Sequence, residues 1–244
     1  MAKAFQPTSA MILAAGLGAR LRPMTDHLPK PLLQFAGRTV IDHALDKLVR
    51  AGVRKVVVNV HHKAAMLRGH LVGREQPAIL ISDESDKLLE TGGGVANALA
   101  HLGPDPFFVI NGDTLWFDAG PDSLATMIDN FDADRMDALL MLHPTIMAIG
   151  YDGVGDFNME PDGLLIRRPE NEVAPFVFAG VQILSPALFE DCPSGAFSLN
   201  LLYDRAVEAG RLYGIRQDGD WMNLNTMEGL IATARALDGL TDAA

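Results

Sequence analysis

Cysteine is nearly absent. Cys192 is the only one in 244 residues, which excludes an intrachain disulfide framework and any cysteine-based zinc site, and fits a reducing compartment such as the cytoplasm. Positive charge is scarce too. Twenty Lys and Arg stand against 31 Asp and Glu, a formal net charge of −11, so a broad basic face for tracking a nucleic-acid backbone is not expected. No run approaches the roughly 18 apolar residues of a membrane span, and the apolar stretch Ala10 to Ala15 is too short for a secretory leader. Low-complexity segments, fixed-period repeats and linkers are also missing.

What remains is an ordinary globular composition, 48% hydrophobic with 23 Gly and 14 Pro, and one core is expected. Short apolar runs alternate with stretches of helical period, the pattern of an α/β fold whose mostly parallel sheet is covered by helices on both faces. The expected strands are Ala10 to Ala15, Lys55 to Val60, Ala78 to Ser82, Phe107 to Asn111 and Asp137 to Leu142. Thr39 is placed to cap a helix running to Arg50, with Gly52 as its stop. Further helices are expected over Lys63 to Leu71, from Gly92–Gly94 to Leu102, Asp122 to Phe131, Leu199 to Ala209 and Met227 to Leu237. After residue 143 the glycines at 150, 153, 155 and 163 punctuate short runs and suggest β-hairpins ahead of an extended stretch at Phe176 to Leu184.

The densest local signal follows the first strand: Leu13-Ala-Ala-Gly16-Leu-Gly18-Ala-Arg20-Leu-Arg22-Pro23, then Thr25 and Pro29-Lys30-Pro31. Bare glycine backbone there lets N–H groups approach phosphate oxygens, and Arg20 and Lys30 are suited to neutralise them. Two familiar glycine loops fail on residue identity. A dinucleotide fingerprint needs a third glycine where Leu21 stands, and a Walker loop needs Gly-Lys-Ser/Thr. Asp113, at the carboxyl end of an apolar strand, lies on the edge where open α/β sheets place ligands, and suits Mg²⁺ between phosphates. Asp132-Ala-Asp134 follows a polar helix and reads as a solvated cap, and the neighbours His61 and His62 point apart on a strand end.

The glycine segment closely resembles the signature of the sugar-1-phosphate nucleotidylyltransferases, the NDP-sugar pyrophosphorylases. Further resemblances keep their order along the chain: Leu89-Glu-Thr-Gly-Gly-Gly94, Val109-Ile-Asn-Gly-Asp113, Arg167-Arg168-Pro169 in place of Glu-Lys-Pro, and Phe176-Val-Phe-Ala-Gly-Val-Gln182. The resemblance implies a Rossmann-like, GT-A-like mixed sheet in a single domain, with a nucleotide-binding half over about 10–143 and a sugar-phosphate-binding half over about 144–244. It implies transfer of a nucleoside monophosphate from an NTP to a sugar 1-phosphate with Mg²⁺, on small molecules only. Catalytic roles fall on Arg20 at the departing pyrophosphate, Lys30 at the α-phosphate, and Asp113. Nucleotide contacts fall on Leu13, Ala14, Ala15, Gly16, Gly18, Arg20, Lys30, Thr91, Gly92 and Gly93. Sugar-phosphate contacts fall on Asn111, Arg168, Ala179 and Gly180.

One departure stands out. Where relatives carry Trp-x-Asp-x-Gly-Thr, this chain reads Trp221-Met-Asn223-Leu-Asn225-Thr226, so the metal set is Asp113 with a neutral Asn223. Within the family the chain looks most like the uridylyltransferases that act on N-acetylmuramate 1-phosphate in cell-wall recycling, and next like mannose- or heptose-1-phosphate guanylyltransferases. A lactyl carboxylate on the sugar favours an extra cation, with Arg167, Arg168, Lys63 and Arg68 as candidates. The rival reading is a non-catalytic nucleotide or sugar-phosphate binder disabled at Asn223.

Overall fold

The computed structural model describes residues 5–241. The first strand, β1 (Ser9–Leu13), is followed by the glycine loop and by a small hairpin of β2 (Gln34–Phe35) and β3 (Arg38–Thr39). Then come α1 (Val40–Arg50), β4 (Lys55–Val60), α2 (Ala64–Leu71), β5 (Ala78–Asp83), α3 (Glu90–Leu102) and β6 (Phe107–Asn111). The chain continues through β7 (Thr114–Asp118), α4 (Ser123–Asn130), β8 (Ala138–Pro144), β9 (Phe157–Met159), β10 (Leu165–Arg167) and β11 (Phe176–Leu184). It finishes with α5 (Asn200–Glu208), β12 (Leu212–Arg216), β13 (Gly219–Asn223) and α6 (Met227–Thr241).

The main sheet runs β5-β4-β1-β6-β11-β8-β12. Its β5-β4-β1-β6 side is parallel, as the alternation of apolar runs and helices predicts. Beyond β6 the direction reverses, because β11 is antiparallel to both β6 and β8, while β12 is parallel to β8. The sheet is therefore mixed. The expected hairpin after residue 143 is β9 and β10, whose first strand also meets the start of β11.

Alternation along β1 sorts side chains to the two faces. Ala10 and Ile12 join Ile41, Leu45 and Leu48 of α1, Leu67 of α2 and Met127 of α4 on one face. Met11 joins Val95 and Ala98 of α3 and Leu202 and Ala206 of α5 on the other. Both clusters draw on residues before and after position 143, including Val181 and Ile183 in the first and Leu140 and Leu184 in the second. A third, smaller cluster of Leu21, Leu33, Val40, Leu115, Met222, Leu224 and Leu230 ties the glycine loop to β7, β13 and α6.

Local signals account for the helix ends. The Thr39 hydroxyl accepts from the Asp42 amide at 3.2 Å, so the expected cap of α1 is in place. Asp122 caps α4 by accepting from the Leu124 and Ala125 amides. Five strands were not among those expected: β2, β3, β7, β12 and β13. Of these, β7 and β13 form a separate antiparallel ribbon in which Asn223 lies opposite Thr114 and Trp221 opposite Trp116. That register carries the distal end of the chain to the edge of the main sheet where Asp113 lies.

Candidate active site

At the carboxyl ends of β1 and β6 a cavity of about 260 Å³ is lined by Leu13 to Gly16, Lys30, Pro31, Asn59, Leu88, Glu90, Thr91 and Asn111 to Asp113. A second cavity of about 170 Å³ shares Asn111 and Asp113 with it and continues over Thr114, Tyr151, Asp156, Phe178, Gly180, Trp221, Asn223 and Asn225. Together they make a cleft with Asp113 at its middle.

The glycine loop is open to a ligand. The amides of Gly16, Leu17 and Gly18 make no hydrogen bond among the described residues, so three donors stand free in the loop, and Gly16 itself lines the first cavity. Gly18 has a different task from Gly16. Its φ is +64° and a Cβ on it would meet Thr25 Cγ2 at 2.7 Å, while its carbonyl accepts from the Thr25 hydroxyl at 2.9 Å. Gly18 thus closes the loop onto Thr25, and Gly16, with open space around it, lines the cavity.

Lys30 lies at the centre of the cleft with only a tenth of its side chain exposed. Its Nζ donates to Asp113 Oδ2 at 3.1 Å and to Asn225 Oδ1 at 2.7 Å. Arg20 Nη2 donates to the same Asn225 oxygen at 3.0 Å. The three residues expected to be catalytic are therefore brought together, and the group that gathers the two cations is Asn225. Sequence reasoning saw that residue only as a departure from glycine. The amide in place of a bare backbone was the available signal, because its side-chain oxygen can accept from two donors.

Asn223 is buried beside Asp113. Its Nδ2 donates to the Gly150 carbonyl at 2.9 Å, which aims Oδ1 toward the Asn225 amide at 3.3 Å. Asp113 Oδ1 makes no hydrogen bond among the described residues. One carboxylate oxygen and one amide oxygen are hard donors of the kind Mg²⁺ takes, and among the described residues no group of three or more His, Cys, Asp or Glu forms a closed cage. A partial oxygen set of this kind suits a Mg²⁺ that shares its coordination with substrate phosphates.

On the acceptor side, Gly180 lines the second cavity and its neighbour Ala179 does not. A Cβ on Gly180 would meet Thr114 Oγ1 at 2.0 Å, and the Ala179 carbonyl accepts from Trp221 Nε1 at 3.0 Å. Ala179 therefore acts behind the wall, by holding the indole. Burial and the neighbouring Asp156 carboxylate push the Tyr151 phenol above its ordinary pKa, so this cleft residue stays a neutral hydroxyl at physiological pH.

Several expectations need correction. The amides of Gly92 and Gly93 are engaged within the chain: both donate to the Phe197 carbonyl, at 2.8 and 3.1 Å. A Cβ on Gly92 would meet the Phe197 ring at 2.4 Å, and one on Gly93 the Gly195 carbonyl at 2.2 Å. These glycines seat a loop on α3, and Thr91 alone of the three lines the cavity. Arg168 does not line the cleft either. Its guanidinium donates to the carbonyls of Gly155, Pro169 and Glu172. Of the other candidate cations, Arg167 binds Asp204 and Asn200, Arg68 binds Asp83, and Lys63 begins α2 outside both cavities. His61 and His62 are bonded in different directions, to the carbonyls of Glu84 and Thr25.

The family model described as "Nucleotidyl transferase" matches residues 9–176. The N-acetylmuramate alpha-1-phosphate uridylyltransferase of Caulobacter vibrioides is 42% identical over 235 residues, 95% of this chain and 97% of that protein. The enzyme of the same name from Neisseria meningitidis is 34% identical over 225 residues, 89% of this chain and 93% of that one. Among solved structures, a UDP-glucose pyrophosphorylase complexed with UDP-glucose superposes with a TM-score of 0.78 at 17% identity, over 97% of this chain and 99% of that one.

Proposed function

The chain belongs to the nucleotidyl transferase family, and from that premise we propose that it condenses UTP with N-acetylmuramate 1-phosphate, forming UDP-N-acetylmuramate and pyrophosphate. The observation that carries the reaction is Lys30 held between Asp113 and Asn225, beside a glycine loop with three open amides. The likeness to the Caulobacter vibrioides enzyme along nearly the full chain supports the choice of substrates.

The acceptor brings its own nucleophile, a phosphate dianion, so the protein needs no Ser, Cys or His attacker. Its work is to position and neutralise. The first cavity takes the nucleotide, with the Gly16 to Gly18 amides donating to phosphate oxygens. Lys30, released from Asp113, stabilises charge developing on the α-phosphate, and Arg20 does so on the departing pyrophosphate. Asn225 keeps both cations aimed at the phosphates when the cleft is empty. The second cavity takes the sugar 1-phosphate, whose hydroxyls meet Asn111, Asp156 and the neutral Tyr151. Asp113 and Asn223 hold Mg²⁺, which supplies Lewis-acid neutralisation of the phosphates when bound.

The test is pyrophosphate release by purified protein with Mg²⁺, crossing UTP, GTP, CTP, dTTP and ATP against sugar 1-phosphates that include those of N-acetylmuramate, mannose and heptose. Release that requires UTP and N-acetylmuramate 1-phosphate is the expected result. A different productive pair overturns the substrates, and nucleotide binding without release for any pair overturns the reaction.

A further inference from the structure

Behind the nucleotide cavity lies a carboxylate that the reaction does not touch. Glu84, the first residue after β5, is 2% exposed, and both its oxygens are used. Oε1 accepts from Asn59 Nδ2 at 2.7 Å and Oε2 from the Leu89 amide at 3.0 Å. Asn59, itself 2% exposed, turns its Oδ1 to the Ala14 amide at 2.7 Å. The chain of bonds thus runs from the first residue after β1 to the residue before α3. Those are the two walls of the cavity, carrying Ala14 to Gly16 on one side and Glu90 and Thr91 on the other.

We propose that Glu84 and Asn59 are a positioning pair that fixes the spacing of the two nucleotide-binding walls, and that Gly94 is the third glycine of its run because it leaves room for them. This assignment rests on the first cavity being the nucleotide site. A Cβ on Gly94 would lie 3.0 Å from both Asn59 Nδ2 and Glu84 Oε1, inside ordinary contact with the very bond that joins them. Only a carboxylate at position 84 serves this geometry. It must accept twice, from an amide NH₂ and from a backbone N–H, and a glutamine accepts on one side only. If a glutamine turned its oxygen to Leu89, its NH₂ would force Asn59 to flip and present a donor to the Ala14 N–H. If it turned the other way, Leu89 would lose its acceptor. Either way a buried amide is orphaned.

Glu84→Gln tests this. Hydrogen exchange at the Ala14 and Leu89 amides reads the relay without any substrate, and at least one of the two should lose protection roughly tenfold while the strands of the sheet do not. With whichever nucleoside triphosphate the wild-type protein turns over, KM for the nucleotide should rise by about tenfold and KM for the sugar phosphate should hold. Moving the carboxylate, by combining Glu84→Gln with Asn59→Asp, restores an acceptor for each of the three donors and should return the protection of both amides. Unchanged protection at Ala14 and Leu89 in Glu84→Gln overturns the pair, as does a failure of the double variant to restore it. Equal losses in both KM values overturn the assignment to the nucleotide walls. A wild-type protein that turns over no nucleotide overturns the proposed function instead, and leaves the exchange measurement to judge the relay.

Discussion

Lys30 is the residue whose removal separates chemistry from folding. Lys30→Ala deletes the cation at the α-phosphate, and its kcat is expected to fall by roughly 10²- to 10³-fold, the usual scale for one preorganised charge-stabilising donor. Single-turnover pyrophosphate release is the measurement, and a rate near wild type removes Lys30 from the reaction. Asn223→Asp installs the carboxylate that the family signature implies at this position, and its outcome is less simple than a gain. Asn223 Nδ2 donates to the Gly150 carbonyl, so a carboxylate there faces a carbonyl oxygen and costs about 1–3 kcal/mol. Without Mg²⁺ the variant should melt below the wild type, and adding Mg²⁺ should raise its Tm by more than it raises that of the wild type. Thermal melts with and without the metal decide it. At this scale the sequence was generous. Arg20, Lys30 and Asp113 converge as their motifs imply, and Asn223 lies beside them. The role of Asn225, singled out only as a departure, and those of Asn59 and Glu84 were not legible, because each acts by a directional bond to a residue distant in the chain.

Among the elements, α3 shows that a glycine run can serve the packing of the chain itself. Three successive glycines at a helix start resemble a ligand-binding device, yet two of them admit the 195–197 loop and one admits a side-chain pair. Periodicity cannot distinguish a ligand from a piece of the same chain, since both require a missing Cβ. Gly93→Ala places a methyl 2.2 Å from the Gly195 carbonyl, an overpacking expected to cost more than about 1–3 kcal/mol. Urea denaturation should register the loss, and a change within 0.5 kcal/mol would contradict the contact. A second element, α1, carries a pH-sensitive cluster. Burial pushes the Asp42 carboxyl up, but the Thr39 hydroxyl, His70 and Arg74 outweigh it and hold the group below the ordinary carboxylate range. A lowered folded-state pKa contributes stability that is present above the unfolded value near 3.9 and is lost as pH falls through the folded value. The stability difference between wild type and Asp42→Asn should therefore shrink on acidification below about 4. Denaturation midpoints across that range check the sign.

For the molecule as a whole, the parallel side of the sheet was legible because its strands are continuous apolar runs between helices. The reversal at β11 was implied only by the family resemblance to a mixed sheet, since a strand's own residues do not record which way its neighbours run. The β7–β13 ribbon was hidden for another reason. Thr114 to Asp118 follows β6 after only two residues, and its partner lies about a hundred positions away, so neither strand announces the other. Both main core clusters mix residues from the two halves, which makes independent melting of the halves unfavourable. Urea unfolding should give one transition, with Trp116 and Trp221 fluorescence coinciding with far-UV circular dichroism. Separate midpoints would mean two folding units.

The ribbon also sets an order in time. During synthesis the chain emerges from its amino end, and the glycine loop, Lys30 and Asp113 are all out before residue 114. The groups that complete their surroundings, Asn223 at the end of β13 and Asn225 just beyond it, are made more than a hundred residues later. A ribosome-bound chain therefore carries Lys30 and Asp113 long before it has the groups that hold Lys30 in its working position, and the site for the proposed transfer is complete only when the last strand pairs.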